Sequence, residues 1–388
     1  MSQALAVEAP SDRLDQLGAL AVFGIAAAVL FSIAVAQILL AIAIACWLGV
    51  IVVRRERVEV PAFFWPLAAY AGITLVSAAF SIEPRVSLVD CKQLVLFLMV
   101  PVVYRFITGE RASTMVTVIL SFAAASAAYG IIQYATITLN PLSQRPHGTL
   151  GHYMTYSGLL MLVISVALAR ILFGRSDRMW AGVVMPALAV AVVVTLSRSA
   201  WVGACAAAAL LLALKDFRLL AVLPILAAVF FATAPPTVMA RFVSIFDVRD
   251  PTNRDRMAML REGEHMIAAH PLVGVGPNMV QVLYSEYRDP EAVEKINPHL
   301  HNVPVQIAAE RGLPALAIWL WFIAALTVAA ARRFHAGGDR FLAAAALAAI
   351  TAMLTAGMFE YNFGDSEFLM MFLIIVTLPF AADRAAPA

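Results

Sequence analysis

Apolar segments long enough to cross a bilayer follow one another along most of the chain, separated by short polar connections. A helix needs about 20 apolar residues to span the hydrocarbon core. Because lipid offers the backbone no hydrogen-bond partners, continuous apolar segments of this length indicate helices. The pattern predicts twelve spans: two within 17–53, with the turn near Ser32 or Gln37, and one each in 62–80, 93–108, 113–137, 153–173, 180–196, 199–214, 217–234, 313–331, 341–358 and 366–382.

One long stretch, residues 235–312, is too polar to enter a bilayer and interrupts this pattern. Long connections of this kind are usually functional. The short connections on one side of the predicted spans are mainly basic, which places that side in the cytoplasm. We therefore predict spans 1 to 9 in residues 1–234 with a cytoplasmic N-terminus, a large periplasmic catalytic loop in 235–312, and spans 10 to 12 in 313–388 with a cytoplasmic C-terminus.

The composition indicates an all-α integral membrane protein. Hydrophobic residues make up 62% of the chain and charged residues 13%, whereas soluble domains carry about 25% charged residues. The net charge of +2 is too small to indicate a nucleic acid partner. Cys46, Cys91 and Cys205 stand alone and fit neither a disulfide framework nor a zinc site. The sequence predicts no cofactor, and membrane lipids are the expected surroundings.

Arginines stand out among the residues predicted to face the periplasm. Arg198 interrupts an otherwise apolar stretch, either as an interfacial arginine or as a fixed guanidinium that binds an anion. Arg254, Arg256 and Arg261 lie near the start of a helix predicted over 253–269, where the helix dipole also favours an anion. Helical spacing puts Arg254 and Arg261 on one face and Arg256 on another.

Two histidines, His299 and His301, precede a second predicted helix, for which Asn302 is a suitable N-cap and Pro304 fits the first turn. Imidazole is the side chain best suited to accept a proton near neutral pH, so one of them is a candidate general base and the other can be structural. A zinc site is the competing interpretation, but a His-X-His pattern alone does not support it. The sequence therefore does not require a metal.

Arginines and a general base on the outer face suit one reaction in particular. This reaction is the attack of a hydroxyl group on a carbon bonded to a phosphate or diphosphate leaving group. Guanidinium groups stabilise the charge that develops on the leaving oxygens in the transition state. Sugar nucleotides are not generally available outside the cytoplasm, so we expect a donor that arrives already activated on a lipid.

Four motifs resemble those of the O-antigen ligase and polymerase superfamily: Thr195–Trp201, Asp255–Leu260, His270–Pro277, and His301–Asn302 followed by Glu310–Gly312. The whole chain also resembles the superfamily in its pattern of predicted spans with one large late loop. Two positions differ from the usual pattern. Leu260 stands where tryptophan is frequent, and Ala315 stands where a second glycine is frequent.

The resemblance implies a GT-C-like, metal-independent, inverting glycosyltransferase in the inner membrane of a Gram-negative bacterium. Such an enzyme transfers O-antigen from undecaprenyl diphosphate to a sugar hydroxyl of the lipid A core at the periplasmic face. By this resemblance His301 matches the general base, and Arg198 and Arg256 match arginines that hold the donor diphosphate. An O-antigen ligase is the leading hypothesis.

Other polar residues of the predicted outer face are secondary candidates: Arg254, Arg261, Arg145, His147, His299, Glu360 and Asp365. Arg145 and His147 are candidates for binding an acceptor phosphate, and Glu360 and Asp365 for contacting an arginine or the acceptor. An O-antigen polymerase or a protein O-oligosaccharyltransferase is an alternative, because both share the donor chemistry. A transporter for the lipid-linked glycan is a remote alternative, because the predicted spans contain almost no ionisable residues that would couple transport.

Overall fold

The computed structural model describes residues 10–137, 145–337 and 340–384, and all regular secondary structure in these ranges is helical. The α-helices are α1 (Pro10–Ala28), α2 (Ile33–Arg54), α3 (Phe64–Ala79), α4 (Pro84–Asp90), α5 (Met99–Phe106), α6 (Glu110–Ile137), α7 (Tyr153–Phe173), α8 (Arg178–Val194), α9 (Arg198–Lys215), α10 (Val222–Thr233), α11 (Pro236–Val243), α12 (Pro251–Ala269), α13 (Met279–Tyr287), α14 (Val303–His335), α15 (Arg340–Gly357) and α16 (Ser366–Ala381). Three 3-10 helices are Cys91–Leu98, Phe217–Ala221 and Asn362–Gly364. The extreme ends of the two predicted cytoplasmic tails lie outside the described residues.

The apolar segments predicted from the sequence are all helical in the structure. Residues 17–53 divide at Ser32, whose side chain accepts a hydrogen bond from the amide of Val35 (3.5 Å) and caps α2. Seven helices among the described residues are long and apolar enough to cross a membrane: Ile33–Arg54, Pro84–Phe106, Glu110–Thr136, Tyr153–Phe173, Arg198–Lys215, Val303–His335 and Arg340–Gly357. The chain is therefore a multi-pass membrane protein, and the count of twelve crossings stays a prediction.

Helices α15 and α16 are deeply buried. Nearly every side chain of α16 is buried. Helix α15 carries the alanine-rich run 343–349 and contacts α7, α9, α14 and α16. Lipid tails are as apolar as these side chains, so close packing of small residues stabilises helix pairs in a membrane. The alanines therefore let the neighbouring helices approach α15 closely.

The polar stretch 235–312 is a folded unit that contains α11, α12 and α13. The helix predicted over 253–269 is confirmed, and it begins at Pro251, where the carboxylate of Asp250 accepts from the amide of Asn253 (3.2 Å). The unit has a small hydrophobic core of its own, formed by Met259, Met266, Val275, Met279, Val280, Leu283, Leu300 and Ala309. It is thus organised by side-chain packing.

The second predicted helix is confirmed: α14 begins at Val303, directly after the predicted N-cap Asn302 and before the predicted end of the polar stretch at 312. Glu310 and Arg311 therefore lie on this helix, just before the predicted span 313–331. In the structure the two side chains form an ion pair (2.6 Å between Arg311 Nη1 and Glu310 Oε2), so both are accommodated within the helix.

Helix α14 breaks at Gly312, which has a positive φ of 84°. The carbonyls of Ala309 and Glu310 instead accept hydrogen bonds from the amides of Val275 (2.9 Å) and Gly276 (2.8 Å). On the other side of the break, the amide of Leu313 donates to the carbonyl of Pro271 (2.8 Å). The segment 270–277 therefore satisfies backbone groups that the break leaves without helical partners.

The glycines of this segment are required by its close approach to α14. A Cβ at Gly274 would overlap the carbonyl of Glu310, and a Cβ at Gly312 would overlap the carbonyl oxygen of Leu272. The hydroxyl of Ser77, in α3, donates to the carbonyls of both Val273 (2.7 Å) and Glu310 (3.0 Å). The motif His270–Pro277 is therefore explained by backbone packing.

We expect Gly312→Ala to destabilise the protein by about 1–3 kcal/mol, because an L-residue is strained at this φ and the added methyl group has no space. The unfolding temperature of the detergent-solubilised protein measures the effect. The matched control is Gly72→Ala in α3, where nothing lies within 4 Å of the added Cβ. Equal unfolding temperatures for the two variants would contradict the assignment.

Candidate active site

Two cavities lie next to each other beside the start of α14. The first, which we call the arginine cavity, has a volume of about 320 Å³. It is lined by Arg198, Ser199, Val202, Ile245, Val248, Asn253, Arg256, Met257, Leu260, Leu300, His301, Asn302, Met358 and Phe359. The structure thus brings together Arg198, Arg256 and His301, the three residues predicted to carry the chemistry.

The backbone holds His301 in an unusual conformation. Its φ is 49°, in the left-handed region that residues other than glycine rarely adopt. The next residue, Asn302, caps α14 as predicted, since its side chain accepts from the amide of Val305 (3.0 Å). The Asn302 amide group also donates to the carbonyl of Met358 (3.1 Å). These bonds fix the turn that aims His301 into the cavity.

His301 is paired with Glu360. Its Nδ1 lies 3.1 Å from each carboxylate oxygen, and only 15% of the His301 side chain and 13% of the Glu360 side chain are exposed. A carboxylate beside Nδ1 favours the tautomer that carries its proton there. The Nε2 atom is then the proton acceptor.

The pKa of Glu360 is held below its usual value. Burial alone would raise this pKa, but the adjacent imidazoles of His301 and His299 lower it by more. The amide of Tyr361 also donates to Oε1 of Glu360 (3.1 Å). Glu360 is therefore an anion at neutral pH and can stabilise a protonated imidazole.

Arg256 makes no hydrogen bond or ion pair with any residue in the described ranges, although it is half-buried. Burial lowers the pKa of its guanidinium, which the carboxylate of Glu360 partly offsets, yet arginine stays charged in proteins. A partly desolvated charge is costly unless it is paired. The arginine cavity therefore offers a ready partner to an anion.

Arg198 is engaged by the protein itself. It is buried, and its Nη1 donates to the carbonyl (2.8 Å) and hydroxyl (3.1 Å) of Ser244. Its Nη2 lies 3.3 Å from the carboxylate of Asp250, the N-cap of α12. Arg198 thus ties α9 to the segment before α12 while it lines the cavity, a double role that the sequence did not predict.

Arg241 is a further basic residue that the sequence analysis missed. Its Nε donates to the carbonyl of Leu196 (3.2 Å). Burial and the nearby positive charges of Arg145 and Arg198 together lower the pKa of Arg241 to about 10. No local pattern marks this residue, because only the fold brings these arginines together. They add to the positive potential beside the arginine cavity.

Two predicted candidates, Arg254 and Arg261, lie apart from the cavity. As their spacing predicted, they share the face of α12 opposite Arg256. Arg261 is paired with Asp289 (2.6 Å) and Glu291 (2.8 Å), and Arg254 is exposed. The pairing lowers the pKa of Asp289. These contacts fasten the loop after α13 to α12.

Three further secondary candidates, Arg145, His147 and Asp365, make structural contacts. The guanidinium of Arg145 stacks on the ring of Tyr153 (4.5 Å to the centroid). The backbone amide of His147 donates to the side chain of Gln133 (2.9 Å). Asp365 caps α16, accepts a hydrogen bond from the hydroxyl of Thr155, and has a pKa raised by burial.

The second cavity, which we call the polar cavity, has a volume of about 240 Å³. Its polar lining residues are Asp90, Gln93, His152, Thr155, Ser157, Ser199, Asn278, His299, Gln306, Glu310, Arg311, Glu360, Tyr361, Asn362 and Asp365. Since His301 lines one cavity and Glu360 the other, their contact lies in the wall between the two. A donor and an acceptor could meet at this wall.

The comparisons bear on this part of the chain. Residues 183–320 match the family model described as O-antigen ligase. The chain carries an O-antigen ligase domain. A search of curated proteins finds no match. The O-antigen ligase domain runs from α8 into α14 and includes Arg198, Arg256 and His301, whereas Glu360 lies beyond it.

We expect Glu360→Gln to lower the unfolding temperature at neutral pH. The pKa of Glu360 is lower in the folded protein than in the unfolded chain, so its stabilising effect is complete above about pH 4.3. That effect is lost as the pH falls from about 4.3 through the pKa that Glu360 has in the folded protein. The reason is that the carboxylate of the unfolded chain binds a proton at a higher pH than that of the folded protein. The difference in unfolding temperature between Glu360→Gln and the native protein should therefore shrink in acid.

A pH series of unfolding temperatures in detergent measures this effect. The matched control is Glu264→Gln, at an exposed position of α12, which should change little at any pH. A Glu360→Gln protein that is as stable as the native one at every pH would contradict the role of the carboxylate.

Proposed function

We propose that this protein is an O-antigen ligase that transfers O-antigen polysaccharide from undecaprenyl diphosphate to a sugar hydroxyl of the lipid A core. The reaction takes place at the periplasmic face of the inner membrane of a Gram-negative bacterium. The observation that carries the proposal is that one cavity holds both Arg256, which has no hydrogen-bond or ion-pair partner among the described residues, and His301, whose Nδ1 is engaged by Glu360. The first supplies an anion site and the second a base.

The donor lipid diphosphate occupies the arginine cavity. Arg256 binds the diphosphate, because a guanidinium matches phosphate oxygens with two parallel hydrogen bonds. Apolar residues at the cavity, Val248 (82% exposed) and Met257 (55% exposed), suit the first units of a polyprenyl chain. Arg198 contributes positive charge and holds the segment that precedes α12.

The chemical step is a single displacement at the anomeric carbon. The acceptor oxygen forms a bond to that carbon while the bond from the carbon to the diphosphate oxygen breaks, which inverts the configuration. The acceptor proton passes to Nε2 of His301, and Glu360 stabilises the resulting imidazolium. Arg256 stabilises the negative charge that grows on the departing diphosphate. Guanidinium charge thus fills the role that a divalent cation fills in other phosphate transfers.

The acceptor sugar reaches the wall from the polar cavity. The side chains of Asp365, His299 and Asn362 there offer both donors and acceptors to sugar hydroxyls. A core sugar of lipid A is our proposed acceptor. A growing lipid-linked glycan, as a polymerase uses, is the alternative that the following experiment separates.

Purified protein in liposomes is given glycan on undecaprenyl diphosphate as the donor, with lipid A core as the acceptor in one reaction and only additional donor in a second. We expect transfer to lipid A core in the first reaction and no transfer in the second. The product is a lipid A species that migrates more slowly in a gel. His301→Ala should reduce this transfer by at least about 100-fold, since general base catalysis of that order is lost.

Longer glycan on the undecaprenyl carrier alone would make the enzyme a polymerase and contradict the proposed acceptor. Transfer by His301→Ala at the native rate would contradict the proposed base. The unfolding temperature of the variant checks that it is folded.

Arg256→Ala should reduce transfer by about 100- to 1,000-fold, as removal of one preorganised donor does elsewhere. Arg256→Lys should retain only part of the rate, because an ammonium group keeps the charge without the planar fork. The matched control is Arg254→Ala, two residues earlier on the exposed side of α12, which should transfer at close to the native rate. Equal losses at both positions would argue against a specific diphosphate site.

A further inference from the structure

Two histidines and one glutamate meet at the wall between the cavities. One ligand atom from each of His299, His301 and Glu360 lies within 4.8 Å of the others. Oε1 of Glu360 is 3.1 Å from Nδ1 of His301 and 3.5 Å from Nε2 of His299. The centroids of the two imidazole rings are 4.4 Å apart. The three side chains therefore point at a common region of space.

These separations suit one small metal ion. Zinc binds imidazole nitrogen at about 2.0–2.1 Å and carboxylate oxygen at about 2.0–2.2 Å. Two ligand atoms at a tetrahedral angle around such an ion lie about 3.3 Å apart. The two distances from Glu360, 3.1 and 3.5 Å, bracket this value. A modest rotation of the His299 ring would bring its Nε2 to a similar distance from Nδ1 of His301.

The chemistry of the donors also fits. Two imidazoles and a carboxylate are ligands that suit zinc and cobalt, and three protein ligands leave a fourth position for water. The amide of Tyr361 donates to the carboxylate of Glu360 (3.1 Å), which orients this ligand. His299, the most exposed of the three, lines the polar cavity and offers a route of access.

We propose that His299, His301 and Glu360 bind a divalent transition-metal ion of the zinc class, and that the bound ion inhibits glycosyl transfer. A neutral imidazole carries one proton, so a metal at Nδ1 of His301 leaves that proton on Nε2. Nε2 then cannot accept the proton of the acceptor hydroxyl. The inhibition rests on the proposed function, whereas binding of the metal does not.

The binding test uses full-length, untagged protein in detergent, because a polyhistidine tag would itself bind metal. Cobalt is titrated in, its visible absorption spectrum is followed, and zinc is then added to displace it. We expect one cobalt ion per chain. His299→Ala and His301→Ala should each weaken binding at least about tenfold, since loss of a ligand costs at least as much as loss of a supporting contact.

The matched control is His265→Ala, at an exposed position of α12, which should bind cobalt like the native protein. Unfolding temperatures check that all three variants are folded. Binding that persists in both His299→Ala and His301→Ala, or no binding at all, overturns the metal site.

The second arm measures transfer to lipid A core by the same protein. Zinc should inhibit transfer over the concentration range in which it displaces cobalt, and a chelator should restore the rate. Displacement of cobalt by zinc without loss of transfer overturns the inhibition. If the metal-free protein shows no transfer while the cobalt spectrum is intact, the proposed function fails and the metal site stands.

Discussion

The break in α14 and the segment that fills it determine the geometry of the candidate site. Residues 270–277 directly follow α12, so their hydrogen bonds to α14 on both sides of Gly312 join the two helices. The helices also touch nearer the site, where a Cβ at Gly263 would overlap the side chain of Val305. Arg256 on α12 and His301 before α14 are thereby held on one cavity. Without this joint, neither residue has a defined position relative to the other.

The buried and half-buried arginines of this apolar chain differ in whether the protein itself supplies them with a partner. This difference distinguishes structural arginines from a candidate binding residue. Arg105 is bound by Glu56 and Asp15, Arg198 by Ser244 and Asp250. Such pairing is what burial of a charge demands. Arg256 is the exception among these half-buried or buried arginines, since the described residues supply it with no partner. In our proposal an anionic substrate is the partner of this guanidinium.

The contact between His301 and Glu360 joins two distant parts of the chain. The O-antigen ligase domain, residues 183–320, contains His301 and the arginines, whereas Glu360 follows α15 and lies outside it. The C-terminal helices therefore do more than anchor the protein, because the loop between them orients the imidazole. In our two proposals the same contact supports proton transfer in one state and forms part of a metal site in another.

The sequence alone determined the features that depend on local pattern. Apolar length predicted the membrane class and the positions of the helices, the Asn302 cap predicted the start of α14, and helical spacing separated Arg256 from Arg254 and Arg261. The motifs also indicated the family. Each of these depends on hydrophobicity or on contacts within a few residues, which a single stretch of sequence contains.

Only the tertiary structure decided the rest. It gave His301 its partner Glu360, engaged Arg198 with Ser244 and Asp250, and added Arg241. It also broke α14 at Gly312. It also turned a His-X-His pattern that did not support zinc into a three-ligand cluster. These features arise from contacts between helices far apart in the chain, and charges that look misplaced in a hydropathy pattern are stable there because a distant partner satisfies them.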